Sequence, residues 1–218
     1  MGSDDLFHKR KARKASSLKR DRARRSPYDT ALIVCEGGKT EPNYFKSLRD
    51  DLKLNTANVE VTGDTGGSAP DNVVEHGLRY YGEYDKVFCV FDKDSHPTYQ
   101  QAVDRVKCTK KKKDHTIEVI TSVPCFEYWV LLHFQHTTRH FDGTTGSICE
   151  KVIKDLKLFL PNYQKGDAGL YQEIKPYLSK TIKRADLVLQ HCKTGGTDHP
   201  STLVHKLVLY LQRLKNSK

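Results

Sequence analysis

Apolar positions along the chain fall into two textures. Short runs rich in β-branched and aromatic residues, such as Ala31-Leu-Ile-Val-Cys35 and Val87-Phe-Cys-Val-Phe91, read as buried strands. Between them lie stretches whose apolar residues recur three and four apart, the spacing of an amphipathic helix. The predicted order is strand 30–35, helix 41–53, strand 57–62, helix 71–82, strand 86–91, helix 98–112 and strand 116–120. Strands alternating with helices predict an α/β fold, a mostly parallel sheet with helices on both faces. The segment Gly63-Asp-Thr-Gly-Gly-Ser-Ala-Pro70 is rich in turn formers and leads into a helix that Ser68 or Asp71 could cap.

After Val123-Pro124 the texture becomes helical. Phe126, Trp129, Val130, Leu132 and Phe134 form an apolar segment with Trp129 in the core, and amphipathic helices follow near 147–160, 169–192 and 201–215. In the last, Leu203, Leu207, Tyr210, Leu211 and Leu214 share a stripe and Ser201 is positioned to cap. This predicts a basic tail over 1–26, an α/β core over 27–123 and an α-helical C-terminal region over 124–218 packed on it.

Composition adds a bias in charge. Residues 1–26 carry +7 of the formal net charge of +10. A segment so basic and so poor in apolar residues is predicted to be disordered, and serves either as an arm for nucleic acid or as a solubilising tail. No apolar run approaches the length needed to span a bilayer, so a soluble, cytoplasmic protein is expected. The 6 cysteines show no CxxC pair and read as reduced, mostly buried thiols.

Chemistry concentrates at the ends of two strands. Glu36 follows the first and Asp92-Lys93-Asp94 closes the third. Ligands of parallel sheets bind outside the carboxyl ends of the strands. If the chain stays extended, Asp92 and Asp94 project to one side and can share a cation, with Lys93 facing away. Carboxylates without nearby sulfur or imidazole favour Mg²⁺ or Mn²⁺. Gly38-Lys39-Thr40 matches the end of a P-loop, but Ile33 stands where that motif needs its first glycine, so a nucleotide-hydrolysing loop is not expected.

Glu36-Gly-Gly-Lys-Thr-Glu-Pro-Asn-Tyr-Phe45, Phe91-Asp-Lys-Asp-Ser-His-Pro97, Pro124-Cys-Phe-Glu-Tyr-Trp129 and Pro200-Ser-Thr202 occur in this order, and through them the chain resembles the RloB-like family over about residues 28–215. The resemblance implies a Toprim-like (Rossmann-like) fold and a nuclease of prokaryotic anti-phage defence that works beside an ATPase partner. It places Glu36 as the Toprim glutamate, Asp92 and Asp94 as the metal-binding pair, and Glu127 as a fourth acid. Where the family often reads Ser-Asn-Pro, this chain has Ser122-Val123-Pro124.

Several other residues have two readings each. Lys39 could neutralise a phosphate and Glu41 orient a water, or both could simply open a helix. His96 could donate a proton or be a bystander. Lys165 lies in a basic loop that could meet substrate. His133, His136 and His140 would share a face only if the segment is helical, and polar surface is the plainer reading. The expected activity is divalent-metal-dependent hydrolysis of phosphodiesters, with RNA preferred to DNA by analogy with related defence nucleases and homo-oligomers left open. The alternative is a non-catalytic nucleic-acid-binding or scaffold subunit with a degenerate metal site.

Overall fold

The computed structural model describes residues 29–63, 65–67, 69–93, 96–143 and 146–216. The basic tail and Asp94 lie outside the described residues. The elements run β1 (Ala31–Cys35), α1 (Thr40–Asp51), β2 (Val59–Thr62), α2 (Pro70–Tyr80), β3 (Lys86–Asp92), α3 (Tyr99–Lys107), β4 (Thr116–Val123), α4 (Phe126–Leu131), α5 (Ile148–Leu156), α6 (Leu170–Ile174), a 3-10 turn (Lys175–Tyr177), α7 (Leu178–Thr194), β5 (Ser201–Thr202) and α8 (Val204–Asn216).

The sheet has the order β2-β1-β3-β4-β5, parallel except for β5. Both faces of β1 are covered, which is why its 5 residues are all apolar and buried. Alternation along the strands separates the two faces. Leu32, Val34, Val87, Cys89 and Phe91 pack on Val73 and Val74 of α2 and on Ala102, Val103 and Val106 of α3. Ala31, Ile33, Phe88, Val90 and Ile120 face the larger cluster, which takes in Tyr44, Phe45 and Leu48 of α1 and continues through Trp129 into Leu156, Val188 and Leu211. The helical C-terminal region therefore shares a hydrophobic core with the sheet.

Several boundaries differ from those the sequence predicts. Helix α2 starts directly at Pro70, with Ala69 at its cap position, because proline suits the first helical turn. Helix α3 stops at Lys107, and Lys110 to Lys113 lie in the turn before β4, where Asp114 takes φ +63° and Lys112 Nζ rests over the Tyr81 ring. The helix expected over 169–192 is interrupted around Pro176, which lacks an N–H for the helical ladder. Ser201 does not cap α8. It pairs with Val123 in β5, and Thr202 Oγ1 accepts the Val204 N–H at 3.2 Å instead.

Helix α4 ends at Leu131, so the three histidines beyond it do not share a helical face. His133 is buried with Nδ1 on the Trp129 carbonyl, whereas His140 lies against the His199 ring. Among the described residues no helix is long and apolar enough to cross a membrane.

Candidate metal centre

Strand β1 sits between β2 and β3, so the chain leaves its carboxyl end toward one side for β2 and returns on the other for β3. This reversal opens a crevice at the carboxyl edge of the sheet, where such folds hold their ligands. Glu36 and Asp92 stand on its two sides. The Glu36 N–H bonds the Val90 carbonyl at 2.9 Å, extending the ladder by one residue beyond the strand. Its carboxylate turns inward, and Oε2 accepts the Asp92 N–H at 2.9 Å. Asp92 Oδ2 in turn accepts the Phe126 N–H, at the start of α4, at 3.0 Å.

Glu41 completes the near wall. It lies in the first turn of α1, where an acid complements the helix dipole, and its side chain folds back over the preceding loop. A Cβ at Gly37 would come within 2.9 Å of Glu41 Oε2, and one at Gly63 would collide with the Gly37 carbonyl. Both glycines thus let the β1 and β2 loops close around the acid.

Glu127 is only 2 % exposed, held by two donors and adjoined by a sulfur. Tyr163 donates its hydroxyl to Oε1 at 3.0 Å, Lys165 Nζ lies 3.3 Å from the same oxygen, and Cys149 Sγ is 3.1 Å from Oε2. The loop carrying Lys165 docks on α1. Gly166, at φ +83°, gives its N–H to Thr40 Oγ1 at 2.9 Å and accepts from Asn43 Nδ2 at 3.0 Å.

These carboxylates perturb one another. Burial, followed by the charges of Glu41 and Glu127, pushes the Asp92 carboxyl well above its ordinary range, and the Phe126 N–H only partly opposes this. Glu41 is raised to about 7, chiefly by burial and then by Glu127 and Glu36, with a backbone hydrogen bond and Lys165 opposing. Lys165 forms an ion pair with Glu127 at one side of the set. The oxygen donors of Glu36 and Asp92, with Glu41 beside them, fit a hard divalent cation such as Mg²⁺ or Mn²⁺, which would relieve that repulsion.

The structure therefore brings together Glu36, Asp92 and Glu127, and places Glu41, for which the sequence offered a water-orienting reading, beside them. Asp94 cannot be placed, because it lies outside the described residues. Lys39 is exposed at the cap position of α1 and packs against Gly166, beside the cluster. His96 Nδ1 lies 3.1 Å from Thr98 Oγ1 within its own loop. Lys93 does face away, onto Asp198 at 2.6 Å.

Two expectations about sulfur are corrected. Cys125 and Cys149 are not separate thiols. They form a disulfide with Cα atoms 5.8 Å apart, because the N-terminus of α4 packs against α5. Sulfur also adjoins the acidic set on the Glu127 side, although no sequence spacing between positions 125 and 149 signals it. Sequence left two readings for Glu41, and its placement in the first turn of the helix after β1 brings its side chain back toward the strand's end. Tyr163 carried no sequence signal.

The family model described as RloB-like protein matches residues 31–211. No curated protein and no solved structure matches the chain. The match begins at the first residue of β1 and ends inside α8, enclosing the sheet, the acidic crevice and the helices packed around it. The chain belongs to the RloB-like family.

Proposed function

We propose that this protein is a divalent-metal-dependent nuclease that hydrolyses phosphodiesters in RNA, and less readily in DNA, within an anti-phage defence system that includes an ATPase partner. The observation that carries the chemistry is the group of Glu36, Glu41 and Asp92 at the switch point of a parallel sheet, with two of the three carboxyls pushed up by burial and by neighbouring carboxylates. The defence setting and the partner rest on the family alone.

When bound, Mg²⁺ or Mn²⁺ would polarise the scissile phosphate and offset the charge that develops on it. Asp92, oriented by the Phe126 N–H, and Glu36, oriented by the Asp92 N–H, are the residues that would hold the cation. Glu41, beside this pair in the first turn of α1, would take the proton of the attacking water as the new P–O bond forms and the bond to the leaving oxygen breaks. The leaving oxygen is protonated from solvent.

Substrate binding is supported by lysines around the acids. Lys46 lines a cleft of about 440 Å³ with Gly38, Thr62 and Gly63. Lys157 and Lys165 line another of about 470 Å³ with Gln164 and Tyr163. Lys39, Lys46 and Lys157 are exposed and have no ion-pair partner among the described residues. Unpaired cations on both sides of an acidic centre suit a phosphate backbone that crosses it.

The test incubates purified protein, with and without its ATPase partner, with total RNA and plasmid DNA in Mg²⁺, Mn²⁺ or chelator. The expected result is cation-dependent cutting of RNA that Glu36→Gln and Asp92→Asn each abolish. Cutting that persists in chelator or in both variants would refute the assignment, and a protein that binds equally well in chelator and never cuts would favour the scaffold reading.

A further inference from the structure

The buried sulfurs beside Glu127 form a second constellation that nuclease chemistry does not require. Cys125 stands at the cap position of α4, two residues before Glu127, and Cys149 comes from the first turn of α5. One sulfur from each cysteine and one oxygen of Glu127 all lie within 4.8 Å of one another, and all three residues are buried. We propose that, once the disulfide is reduced, Cys125, Cys149 and Glu127 bind a thiophilic divalent cation such as Zn²⁺.

Three features support this. The first is the donor set. Two thiolates and a carboxylate are the ligand types that borderline-soft Zn²⁺ takes, and Mg²⁺ would not select the sulfurs. The second is spacing. Tetrahedral zinc with ordinary Zn–S bonds separates its two sulfurs by roughly 3.8 Å, a small opening from their bonded positions between helices already in contact. The third is access. Cys149 and Lys165 line the 470 Å³ cleft and Cys125 does not, so a reductant and then a cation reach the pair from the Cys149 side.

The chemistry balances with a dithiol reductant. A thiolate of the reductant attacks Cys149 Sγ, the S–S bond breaks and Cys125 leaves as a thiolate that picks up a proton. The reductant's second sulfur then attacks the mixed disulfide, releasing Cys149 and departing as a cyclic disulfide. Two electrons have passed to the protein, and binding the cation then displaces two thiol protons. Lys165 Nζ, 3.6 Å from Cys149 Sγ and 3.3 Å from Glu127, must swing aside, which its 59 % exposed side chain permits. The vacated cleft leaves a fourth coordination position open to water, an arrangement of three protein ligands and one exchangeable site.

Cobalt(II) tests the proposal because thiolate ligation gives it an intense near-ultraviolet charge-transfer band that oxygen ligands cannot. Protein with its disulfide intact and protein reduced by a dithiol then freed of reductant are each titrated with Co²⁺ and back-titrated with Zn²⁺. The expected outcome is one equivalent of Co²⁺ with the thiolate band only after reduction, displaced by Zn²⁺. The band is lost in Cys125→Ser and Cys149→Ser, kept in Cys108→Ser, and Glu127→Gln weakens binding at least about tenfold. Co²⁺ uptake without the band, or a band that survives in the Cys125→Ser/Cys149→Ser double variant, overturns the site. So does loss of the far-ultraviolet circular dichroism on reduction, because the ligands require α4 and α5 in place. The band reports sulfur ligation alone, so its absence leaves the nuclease reading standing, and failed cleavage leaves this proposal standing.

Discussion

The backbone N–H of Asp92 donates to Oε2 of Glu36 across 2.9 Å, so the last residue of β3 orients the acid that follows β1. The two strands are parallel neighbours, with Cys35 opposite Val90. The carboxylate is therefore aimed by sheet register and not by a flexible loop. A rigid pair of this kind can hold a cation with little reorganisation, and its loss should affect chemistry far more than folding.

Asp92→Asn should abolish cation-dependent cleavage while leaving the metal-free melting temperature unchanged or raised. Its carboxyl is disfavoured in the charged form by burial, Glu41 and Glu127, so a neutral isostere relieves repulsion. Differential scanning fluorimetry with and without Mn²⁺ measures both effects. A wild-type protein stabilised by Mn²⁺ and a variant that is not is the expected pair, and equal stabilisation would remove Asp92 from the site.

Glu41→Gln should stabilise the metal-free protein at neutral pH. The folded carboxyl sits at about 7, above the usual range of an unfolded chain, so the folded state binds the extra proton between these values. Its contribution is neutral below about 4.5, becomes unfavourable as pH rises toward 7, and levels off above that at roughly 1–3 kcal/mol. Urea unfolding at pH 4.5 and pH 8 in chelator should show the variant gaining only at the higher pH. A gain of similar size at both would mean the carboxyl is not raised.

His133 should act with the opposite sign. Burial, reinforced by the Arg184 charge, lowers it to about 4 although the Trp129 and Val130 backbone favours the cation. The unfolded chain takes up a proton near 6.5, so the stability conferred by this group is complete above that value and is lost as pH falls toward 4. The loss is bounded by about 3 kcal/mol. His133→Leu should flatten the acid limb of the stability curve, and an unchanged limb would assign acid sensitivity elsewhere.

Tyr163→Phe should cost about 1–3 kcal/mol, because it removes the hydroxyl that serves a carboxylate only 2 % exposed. Lys165 remains as a partner, so the fold should survive. A change below roughly 0.5 kcal/mol in urea unfolding would show that water replaces the hydroxyl through the adjoining cleft.

Replacing Lys46 and Lys157 by alanine should weaken nucleic-acid binding and lower the log-log salt slope by roughly 0.7–0.9 for each phosphate no longer neutralised. Filter binding across a salt series in chelator, with the full chain, checks this. An unchanged slope would place the backbone elsewhere.

Sequence alone determined the four parallel strands, the helices on both faces and the two acids at strand ends, but not the short β5, because strand and helix periods are local and Glu36 and Asp92 each sit one step from an unmistakable apolar run. It also carried the motifs by which the family is identified. It misjudged where helices stop, at Lys107 and around Pro176, because chain ends and breaks depend on what packs beyond them. Only the tertiary structure decided which acids meet. Glu41 is 5 positions from Glu36 in the chain yet joins Asp92 through the strand order, and Glu127 is reached by Tyr163 and Lys165 from a loop docked on α1. The pairing of Cys125 with Cys149 is likewise a consequence of α4 packing against α5, an arrangement that side-chain volume and burial settle and sequence spacing does not encode.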